Sequence, residues 1–446
     1  MQIIKEQAKI VSTVLGNQEK KGVEYRLLHF CVLLPYENTN LFYNNLTKEM
    51  LLLDYSEVDT LKNPTAHLDD NFIDYLVKNW FLVPLDFEDV KLSKQLTHLA
   101  RQFNTDRTIN TFEVVTTTAC NARCFYCYEA GVKQYTMTLE TAQAVVGYIM
   151  KNRRDGTIVL KWFGGEPTCN TKVIDYICNS LTEKKVDFRS IMISNGYLFN
   201  DSMLESAKQI WNLQQVQITL DGNEDTYNRV KNYADKRDKN PFARVIDNIE
   251  KILQSDIAVT VRINMDRHNE DELYSLVDFL YGKFAGYKKF SVYSYLLFEN
   301  AGNYKNVRSE SERVDIGKRF EELQDYIDEK GLGGHHRLRN DVSISRCMAD
   351  SYATAFILPD GKLGRCEHHV DDDYYGSIFE NTPKKIWDQY YSETAECSLC
   401  PAYPSCLRLV ECKPDMQACY DYQRKESLRK IQKQMIGSYL NFLKKK

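Results

Sequence analysis

The sequence lacks any long apolar run. No stretch of about 18 apolar residues occurs, which excludes a membrane-spanning helix, and charges punctuate the opening segment MQIIKEQAKIVSTVLGNQEKKG. Such an opening does not have the pattern of a secretory signal. We therefore expect a cytoplasmic protein that has no membrane partner.

The sequence also lacks a strong net charge. Its 58 basic and 62 acidic residues leave a net charge of −4, so no excess of positive charge indicates nucleic acid as a partner. Low-complexity tracts are absent, and a hydrophobic content of 43% is enough to build a core. Because 446 residues exceed one ordinary core, we expect about two or three domains.

Cysteine is abundant by contrast and unevenly distributed. Of the 13 cysteines, three lie between residues 120 and 127 and seven between residues 347 and 419. Disulfides rarely persist in a reducing cytosol, so clustered cysteines indicate metal binding. The other three, Cys31, Cys169 and Cys178, are predicted to be small buried hydrophobic residues.

Residues 1–108 carry no chemical motif. Strand patterns over Tyr25–Leu34 and Asn40–Leu53 and helical patterns over Asp69–Asn79 and Val90–Phe103 predict a small α+β module.

Residues 109–308 alternate apolar, β-branched strands with amphipathic helical segments. This alternation is typical of a parallel sheet covered by helices. Because six such units are present, we predict an α/β fold with a partial (β/α)6 barrel rather than a closed (β/α)8 barrel. The predicted strands are Phe112–Thr117, Ile158–Phe163, Ile191–Ser194, Val216–Leu220, Val259–Asn264 and Phe290–Tyr295. The predicted helices are Leu139–Asn152, Lys172–Leu181, Ser202–Trp211, Phe242–Leu253 and Asp271–Tyr281.

Residues 309–446 lose this rhythm and become rich in cysteine. We predict that metal organises much of this segment. The elements expected in it are a helix at Ser309–Lys330, a boundary at Gly331–Gly334, a hairpin of Thr354–Leu358 and Lys362–Cys366 turning at Pro359–Gly361, and a basic surface helix at Arg424–Phe442.

The first cysteine motif follows the first strand of the predicted parallel sheet. Cys120, Cys124 and Cys127 have the spacing Cys-x3-Cys-x2-Cys, and functional residues of such folds gather where strands end. Three thiolates can hold three irons of a [4Fe–4S] cube and leave the fourth iron open. A zinc site would need a fourth ligand, and no cysteine or histidine lies close by in sequence, so iron–sulfur is favoured.

This motif, with the aromatic Tyr126 before its third cysteine, resembles the signature of the radical S-adenosylmethionine superfamily over about residues 109–300. The resemblance implies that the open iron binds the methionine part of S-adenosylmethionine. It also implies cofactor-binding roles for residues at later strand ends, although Gly-Gly and Asp-Gly taken alone are more often plain turns. These residues are Gly164, Gly165, Glu166 and Pro167 for the methionine ammonium, and Ser194, Asn195, Asp221, Arg262 and Asn264 for the ribose and carboxylate.

The seven later cysteines resemble the C-terminal SPASM extension of peptide-modifying radical enzymes. They read Cys347-x13-Gly361-x4-Cys366, then Cys397-x2-Cys400-x5-Cys406-x5-Cys412-x6-Cys419, with x5 before Cys412 where the family usually has x3. The resemblance implies three [4Fe–4S] clusters in all. The outer auxiliary cluster would be held by Cys397, Cys400, Cys406 and Cys419, and the inner one by Cys347, Cys366 and Cys412. The sequence is compatible with two states of the inner cluster. One of its irons is open, or a histidine, a carboxylate or water binds that iron.

Three functions are compatible with these motifs. The favoured one is maturation of a ribosomally made precursor peptide through a 5′-deoxyadenosyl radical, forming a thioether or carbon–carbon cross-link, with flavodoxin or ferredoxin as electron donor. Residues 1–108 would then recognise a leader peptide by strand addition. The second is an anaerobic sulfatase-maturating enzyme, in which Glu367 would take the place of that family's aspartate as catalytic base. The third is a zinc-stabilised binding scaffold, built on a zinc ribbon at Cys397-x2-Cys400.

Overall fold

Strands form where the sequence carries apolar and β-branched runs. The computed structural model describes the chain apart from residues 68–69, 105, 298–299, 302–303, 306–307, 335–337, 339, 344, 346, 371–372, 387–393, 407–418 and 446. Its strands are β1 (Gln2–Lys5), β2 (Tyr25–Leu27), β3 (Cys31–Tyr36), β4 (Thr39–Asn44), β5 (Met50–Leu53), β6 (Leu82–Pro84), β7 (Thr111–Thr117), β8 (Ile158–Gly164), β9 (Phe188–Ser194), β10 (Leu213–Leu220), β11 (Ala258–Met265), β12 (Phe290–Leu296), β13 (Asn300–Ala301), β14 (Tyr304–Lys305), β15 (Thr354–Ile357), β16 (Lys362–Gly364) and β17 (Tyr374–Ser377).

Helices occupy most of the segments between these strands. They are α1 (Lys9–Val14), α2 (Tyr55–Thr60), α3 (Asn71–Lys78), α4 (Asp89–Phe103), α5 (Leu139–Asn152), α6 (Thr171–Glu183), α7 (Asp201–Gln209), α8 (Glu224–Lys231), α9 (Pro241–Gln254), α10 (Leu273–Phe284), α11 (Glu310–Glu329) and α12 (Asp421–Leu443). Among the described residues, no helix combines the length and apolar composition that crossing a membrane demands.

The chain divides into two compact units. We call Arg107–Gly334 with Met348–Asp388 the sheet unit, and Met1–Asp106 with His335–Cys347 and Gln389–Lys446 the terminal unit. These units differ from the three consecutive segments expected from the sequence, because α11 and the strands β15 to β17 are grouped with the parallel sheet.

The sheet unit is built on one open sheet of nine strands, in the order β12-β11-β10-β9-β8-β7-β15-β16-β17. Strands β7 to β12 are parallel to their neighbours, which confirms the predicted central parallel sheet. The predicted hairpin is also present: β15 pairs in parallel with β7, and β16 continues antiparallel. Among the residues that the structure describes, β12 and β17 end the strand order and the sheet does not close, and the curvature of a partial barrel stays a prediction.

Alternate residues of the parallel strands face the two different sides of the sheet. Phe112, Leu160 and Val261 belong to one buried core with residues from the surrounding helices, as expected for apolar strands covered by helices. The intervening positions include Glu113 on β7 and Lys161 on β8, which are register partners. Because side chains alternate along a strand, the sheet has a second side, which carries these charged residues together with an apolar cluster that includes Val115 and Phe163.

Helix α8 is a helix of this unit that the sequence pattern did not predict. Its eight residues, Glu224–Lys231, are mostly polar, and only Tyr227 and Lys231 are buried. Two buried positions in eight residues give no clear helical period.

The terminal unit joins the two ends of the sequence. Strands β1, β5, β4 and β3 form an antiparallel sheet, and Ile431 and Met435 of α12 share a core with Leu41 of β4. Phe30 stacks on Tyr403, with ring centroids 5.5 Å apart. The N-terminal strands and the cysteine-bearing segment 397–406 therefore fold together.

Lys48, in the turn between β4 and β5, links the N-terminal strands to the segment 397–406. Its side chain is among the largest that are fully buried, and its ammonium donates hydrogen bonds to Asn45 Oδ1 and Ser405 Oγ, both at 2.8 Å. Asn45 Nδ2 in turn donates to the Pro401 carbonyl at 2.8 Å. The turn is thus bonded to the chain between Cys400 and Cys406.

Replacing Lys48 by methionine should destabilise the terminal unit. The substitution leaves buried acceptors without their donor, which costs about 1–3 kcal/mol in free energy of unfolding. Thermal unfolding and the rate of proteolysis within residues 397–406 would measure the loss. Lys62→Met is the matched control, because the Lys62 side chain is 76% exposed; equal stability of the two variants would contradict the prediction.

Candidate active site

The loop after β7 brings the first three cysteines to one cavity. The cavity has a volume of about 770 Å³, and Cys120, Cys124 and Cys127 all line it, together with residues 129–132 and Gly165. No disulfide joins the three thiols. The spacing in the sequence and the folded loop therefore place three metal-binding side chains around one space.

Hydrogen bonds at the end of β7 hold the loop. The Thr118 amide donates to the Tyr135 carbonyl at 2.9 Å, and the Tyr135 amide donates to Thr118 Oγ1 at 2.8 Å. The Ala119 amide donates to Thr117 Oγ1 at 3.0 Å. The chain is thus fixed immediately before Cys120.

Gly164 and Gly165 let the end of β8 pack directly against this loop. The Gly165 amide donates to the Thr117 carbonyl and the Glu166 amide donates to the Ala119 carbonyl, both at 3.0 Å. A Cβ on Gly165 would lie 2.6 Å from the Ala119 carbonyl oxygen, and one on Gly164, whose φ is +130°, would overlap the Thr117 carbonyl. The two glycines are therefore needed for the approach of one loop to the other.

Glu166 connects the ends of β8 and β9. It is fully buried, and its carboxylate accepts hydrogen bonds from Ser194 Oγ at 2.8 Å and from the Asn195 amide at 2.7 Å. Burial raises the pKa of Glu166, and hydrogen bonds led by that of Thr168 oppose the rise. Three residues predicted to bind the cofactor are thus brought together and bonded to one another.

Asn195 links this group to the cysteine loop. Its Nδ2 donates to Asn121 Oδ1 at 2.7 Å and lies 3.9 Å from Cys120 Sγ. Pro167 follows Glu166 and begins a short 3₁₀ helix. The stretch Gly164–Pro167 therefore lies beside the cysteine loop.

Asp221 is the centre of a second buried group. Its carboxylate accepts hydrogen bonds from the Tyr126 hydroxyl at 2.8 Å and from Asn264 Nδ2 at 2.9 Å, and Lys231 forms an ion pair with it at 3.0 Å. Arg262 Nε donates to Asn264 Oδ1 at 2.9 Å, and the Arg262 guanidinium lies 3.8 Å from the centroid of the Tyr295 ring. Asp221, Arg262 and Asn264 are thus connected, and an arginine of this kind suits a carboxylate ligand.

Glu367 lies in the turn that follows β16, next to Cys366. Its Oε2 is buried and has no hydrogen-bond partner among the residues that the structure describes. The neighbouring His368 ring lies 5.0 Å from the ring of Tyr128, which directly follows the cysteine motif. The turn therefore reaches the region of the first cysteine loop.

The ion pair of Glu113 and Lys161 lies near Glu367. Lys161 Nζ donates to Glu113 Oε2 at 2.8 Å. Burial raises the pKa of Glu113 to about 7, the negative charge of Glu367 adds to the rise, and Lys161 opposes it. The carboxylate of Glu113 and the ammonium of Lys161 thus lie near Glu367, the candidate base.

The later cysteines fall in both units. In the terminal unit, burial raises the pKa of Cys400, and the nearby Cys406 and Cys397 thiols add to the effect. Arg424 interacts with both Cys400 and Cys419. The four cysteines predicted for the outer cluster therefore lie in one region of the terminal unit.

The three cysteines predicted for the inner cluster are less completely described. Cys347 belongs to the terminal unit and Cys366 to the sheet unit, whereas Cys412 lies outside the described residues. Of the cysteines predicted to be buried, Cys178 is buried and Cys31 is half-buried. The prediction for Cys169 was wrong, since its side chain is exposed in the short 3₁₀ helix Pro167–Asn170.

The donor set of the first loop fits an iron–sulfur cluster. Three thiols line one cavity, and each can take one iron of a cube. Among the described residues, no three cysteine, histidine or carboxylate side chains converge on a position for a single metal ion. A Cβ on Gly164 or Gly165 would overlap backbone atoms of the cysteine loop, so glycine at these positions keeps the end of β8 close to the thiols.

Sequence reasoning missed three charged residues of this region, namely Lys231, Glu113 and Lys161. Glu113 and Lys161 could have been found from the sequence, because residues of opposite charge that are register partners on adjacent strands form favourable pairs. Lys231 gave none, since it lies in the helix that the sequence did not predict.

Comparison with known proteins agrees with this site. Residues 114–280 match the model of the radical SAM superfamily. The chain therefore carries a radical SAM domain, which implies S-adenosylmethionine and a [4Fe–4S] cluster as cofactors.

Individual relatives include a maturation protein, which together with the family match confirms the resemblance predicted from the motifs. The chain is 26% identical over 165 residues to the sporulation killing factor maturation protein SkfB of Bacillus subtilis, a match that covers 36% of this chain and 37% of that protein. It is 22% identical over 279 residues to a GTP 3′,8-cyclase of Clostridium perfringens, covering 59% of this chain and 81% of the cyclase.

Solved structures share the fold. Streptococcus suis SuiB bound to the precursor peptide SuiA aligns with a TM-score of 0.52 at 14% identity, over 86% of this chain and 94% of SuiB. Native anSMEcpe with bound S-adenosylmethionine aligns with a TM-score of 0.51 at 14% identity, over 75% of this chain and 98% of anSMEcpe.

Proposed function

We propose that this protein is a radical S-adenosylmethionine enzyme that matures a ribosomally made precursor peptide by forming a thioether or carbon–carbon cross-link. The observation that carries the proposal is the single cavity lined by Cys120, Cys124 and Cys127. A bound and reduced [4Fe–4S] cluster there would supply the electron that splits S-adenosylmethionine into methionine and a 5′-deoxyadenosyl radical.

The chain's own residues would hold the cofactor and exclude water. Gly164 and Gly165 keep the wall of the cavity close to the cysteine loop. The stretch Gly164–Pro167, supported by Ser194 and Asn195, would take the methionine ammonium. The group of Asp221, Arg262 and Asn264 would take the ribose and the carboxylate, for which a guanidinium is a suitable partner.

A peptide is the proposed substrate. Support comes from SkfB, whose name describes a maturation protein, and from SuiB, whose structure holds a precursor peptide. In this chain the antiparallel sheet of the terminal unit would bind a leader peptide by strand addition. Flavodoxin or ferredoxin would be the electron donor.

The later cysteines would hold two auxiliary clusters. Cys397, Cys400, Cys406 and Cys419 would bind the outer one, supported by their common region in the terminal unit. Cys347, Cys366 and Cys412 would bind the inner one, which completes a SPASM domain with three [4Fe–4S] clusters in the whole chain.

A second candidate is oxidation of one peptide cysteine or serine to formylglycine. It is favoured by Glu367, whose buried Oε2 lacks a hydrogen-bond partner among the described residues and would accept a proton.

Mass spectrometry of an anaerobic reaction separates the two. The protein, S-adenosylmethionine and dithionite would be incubated with a short cysteine-containing peptide encoded beside its gene. We expect a loss of two hydrogens and no reaction of the product with a hydrazide. A product that a hydrazide traps would select formylglycine instead.

GTP is the control substrate for this reaction, because a GTP cyclase is among the relatives. We expect the peptide, and not GTP, to increase the formation of 5′-deoxyadenosine. Stimulation by GTP alone would refute the peptide as substrate.

A further inference from the structure

Lys231 is a buried cation behind the first cysteine loop. Its side chain is only 4% exposed, and its ammonium lies 3.0 Å from Asp221 Oδ2. The same ammonium donates a hydrogen bond to the Tyr126 hydroxyl at 3.1 Å. Tyr126 lies inside the Cys-x3-Cys-x2-Cys motif, so the ammonium is bonded to the loop itself.

The backbone around Lys231 is also joined to that loop. The Arg123 amide donates to the Lys231 carbonyl and the Ala234 amide donates to the Asn121 carbonyl, both at 2.8 Å. Both bonds join the segment Lys231–Ala234 to loop residues that precede Tyr126. The position of the charge relative to the loop is therefore set by backbone as well as by side chains.

The Lys231 ammonium interacts electrostatically with the Cys124 thiol. Tyr126, whose hydroxyl accepts its hydrogen bond at 3.1 Å, stands between Cys124 and Cys127 in the sequence. Burying a charge pair costs desolvation free energy. An apolar residue at the end of α8 would avoid that cost, so the presence of the charge favours a functional role for it.

We propose that Lys231 is a positioning residue that sets the reduction potential of the cluster bound by Cys120, Cys124 and Cys127. Charge and hydrogen bonds around a cluster govern its potential. A cluster held by thiolates becomes more negative when it takes up an electron, so a fixed ammonium beside Cys124 stabilises the reduced form. This inference rests on the proposed function, which supplies the cluster.

The test is a redox titration of the reconstituted full-length protein, followed by EPR. The first cluster is identified as the signal that changes when S-adenosylmethionine is added. At a fixed potential, Lys231→Met should lower the ratio of reduced to oxidised cluster about tenfold, which corresponds to about 59 mV for one electron. Lys231→Arg, which keeps the charge, should restore the ratio.

Two controls keep the result specific. Lys236→Met removes an exposed lysine from the same segment and should titrate like the wild type. Iron content should be the same in all variants. The proposal is overturned if Lys231→Met titrates like the wild type with full iron.

A loss of cluster would also decide the question. Lys231→Gln keeps a hydrogen-bond donor for Tyr126 without the charge. If both the methionine and the glutamine variant lose the first cluster, the residue builds the loop rather than setting its potential, and the proposal is wrong. Wild-type protein that shows no signal responding to S-adenosylmethionine would instead refute the proposed function.

Discussion

Replacing Cys120, Cys124 and Cys127 together by alanine is expected to abolish formation of 5′-deoxyadenosine under dithionite. The substitutions remove all three thiols that line the cavity, and no cluster can be held without them. Iron content should fall by one cluster per chain. Liquid chromatography of the nucleoside and iron analysis of anaerobic protein would measure both effects.

Cys178→Ala is the control for this triple variant. Cys178 is fully buried in the core of the sheet unit and is not among the residues that line the cavity. Its truncation should cost about 1 kcal/mol of stability. Iron content and 5′-deoxyadenosine formation should stay at the wild-type level. Cleavage of S-adenosylmethionine that persists in the triple variant would remove the basis of the proposed function.

Gly165→Ala is expected to displace the cysteine loop and to lower the occupancy of the first cluster severely. The added Cβ would lie 2.6 Å from the Ala119 carbonyl oxygen and 2.7 Å from that of Thr118. Both are backbone atoms next to Cys120, so a side-chain rotation cannot relieve the overlap. Overpacking of this kind costs about 1–3 kcal/mol, and iron analysis with thermal unfolding would measure it.

Gly147→Ala provides the comparison. Gly147 lies in α5, and a Cβ there would meet nothing within 4 Å, so alanine should raise stability by up to about 1 kcal/mol. Its iron content should equal that of the wild type. If Gly165→Ala keeps full iron as well, the close packing of the β8 end against the loop is not required.

The alternation of strands and helices in the sheet unit could be predicted because its strands are buried on an apolar side. Each predicted strand of the parallel sheet is present, and β7 to β12 follow chain order. Short elements such as α1, α2 and β6 were not predicted, because three to six residues carry too little periodicity. Helix α8 was missed for its polar composition.

Much of the site could be predicted for a topological reason. The ends of parallel strands meet at one edge of a sheet, so the cysteine loop after β7 and Gly164–Pro167 after β8 had to be neighbours. The role of the glycines in backbone contact was not predictable, because it depends on a distance between two loops. The same holds for Glu166, which is bonded to Ser194 and Asn195.

The sequence by itself determined the class of chemistry, since thiol spacing and the order of motifs along the chain are local properties. Only the tertiary structure decided which distant residues share a region. Lys231 reaches Tyr126 across 105 positions, and Lys48 reaches Ser405 across 357. Contacts over such separations arise from the packing of whole elements, and no local pattern in the chain encodes them.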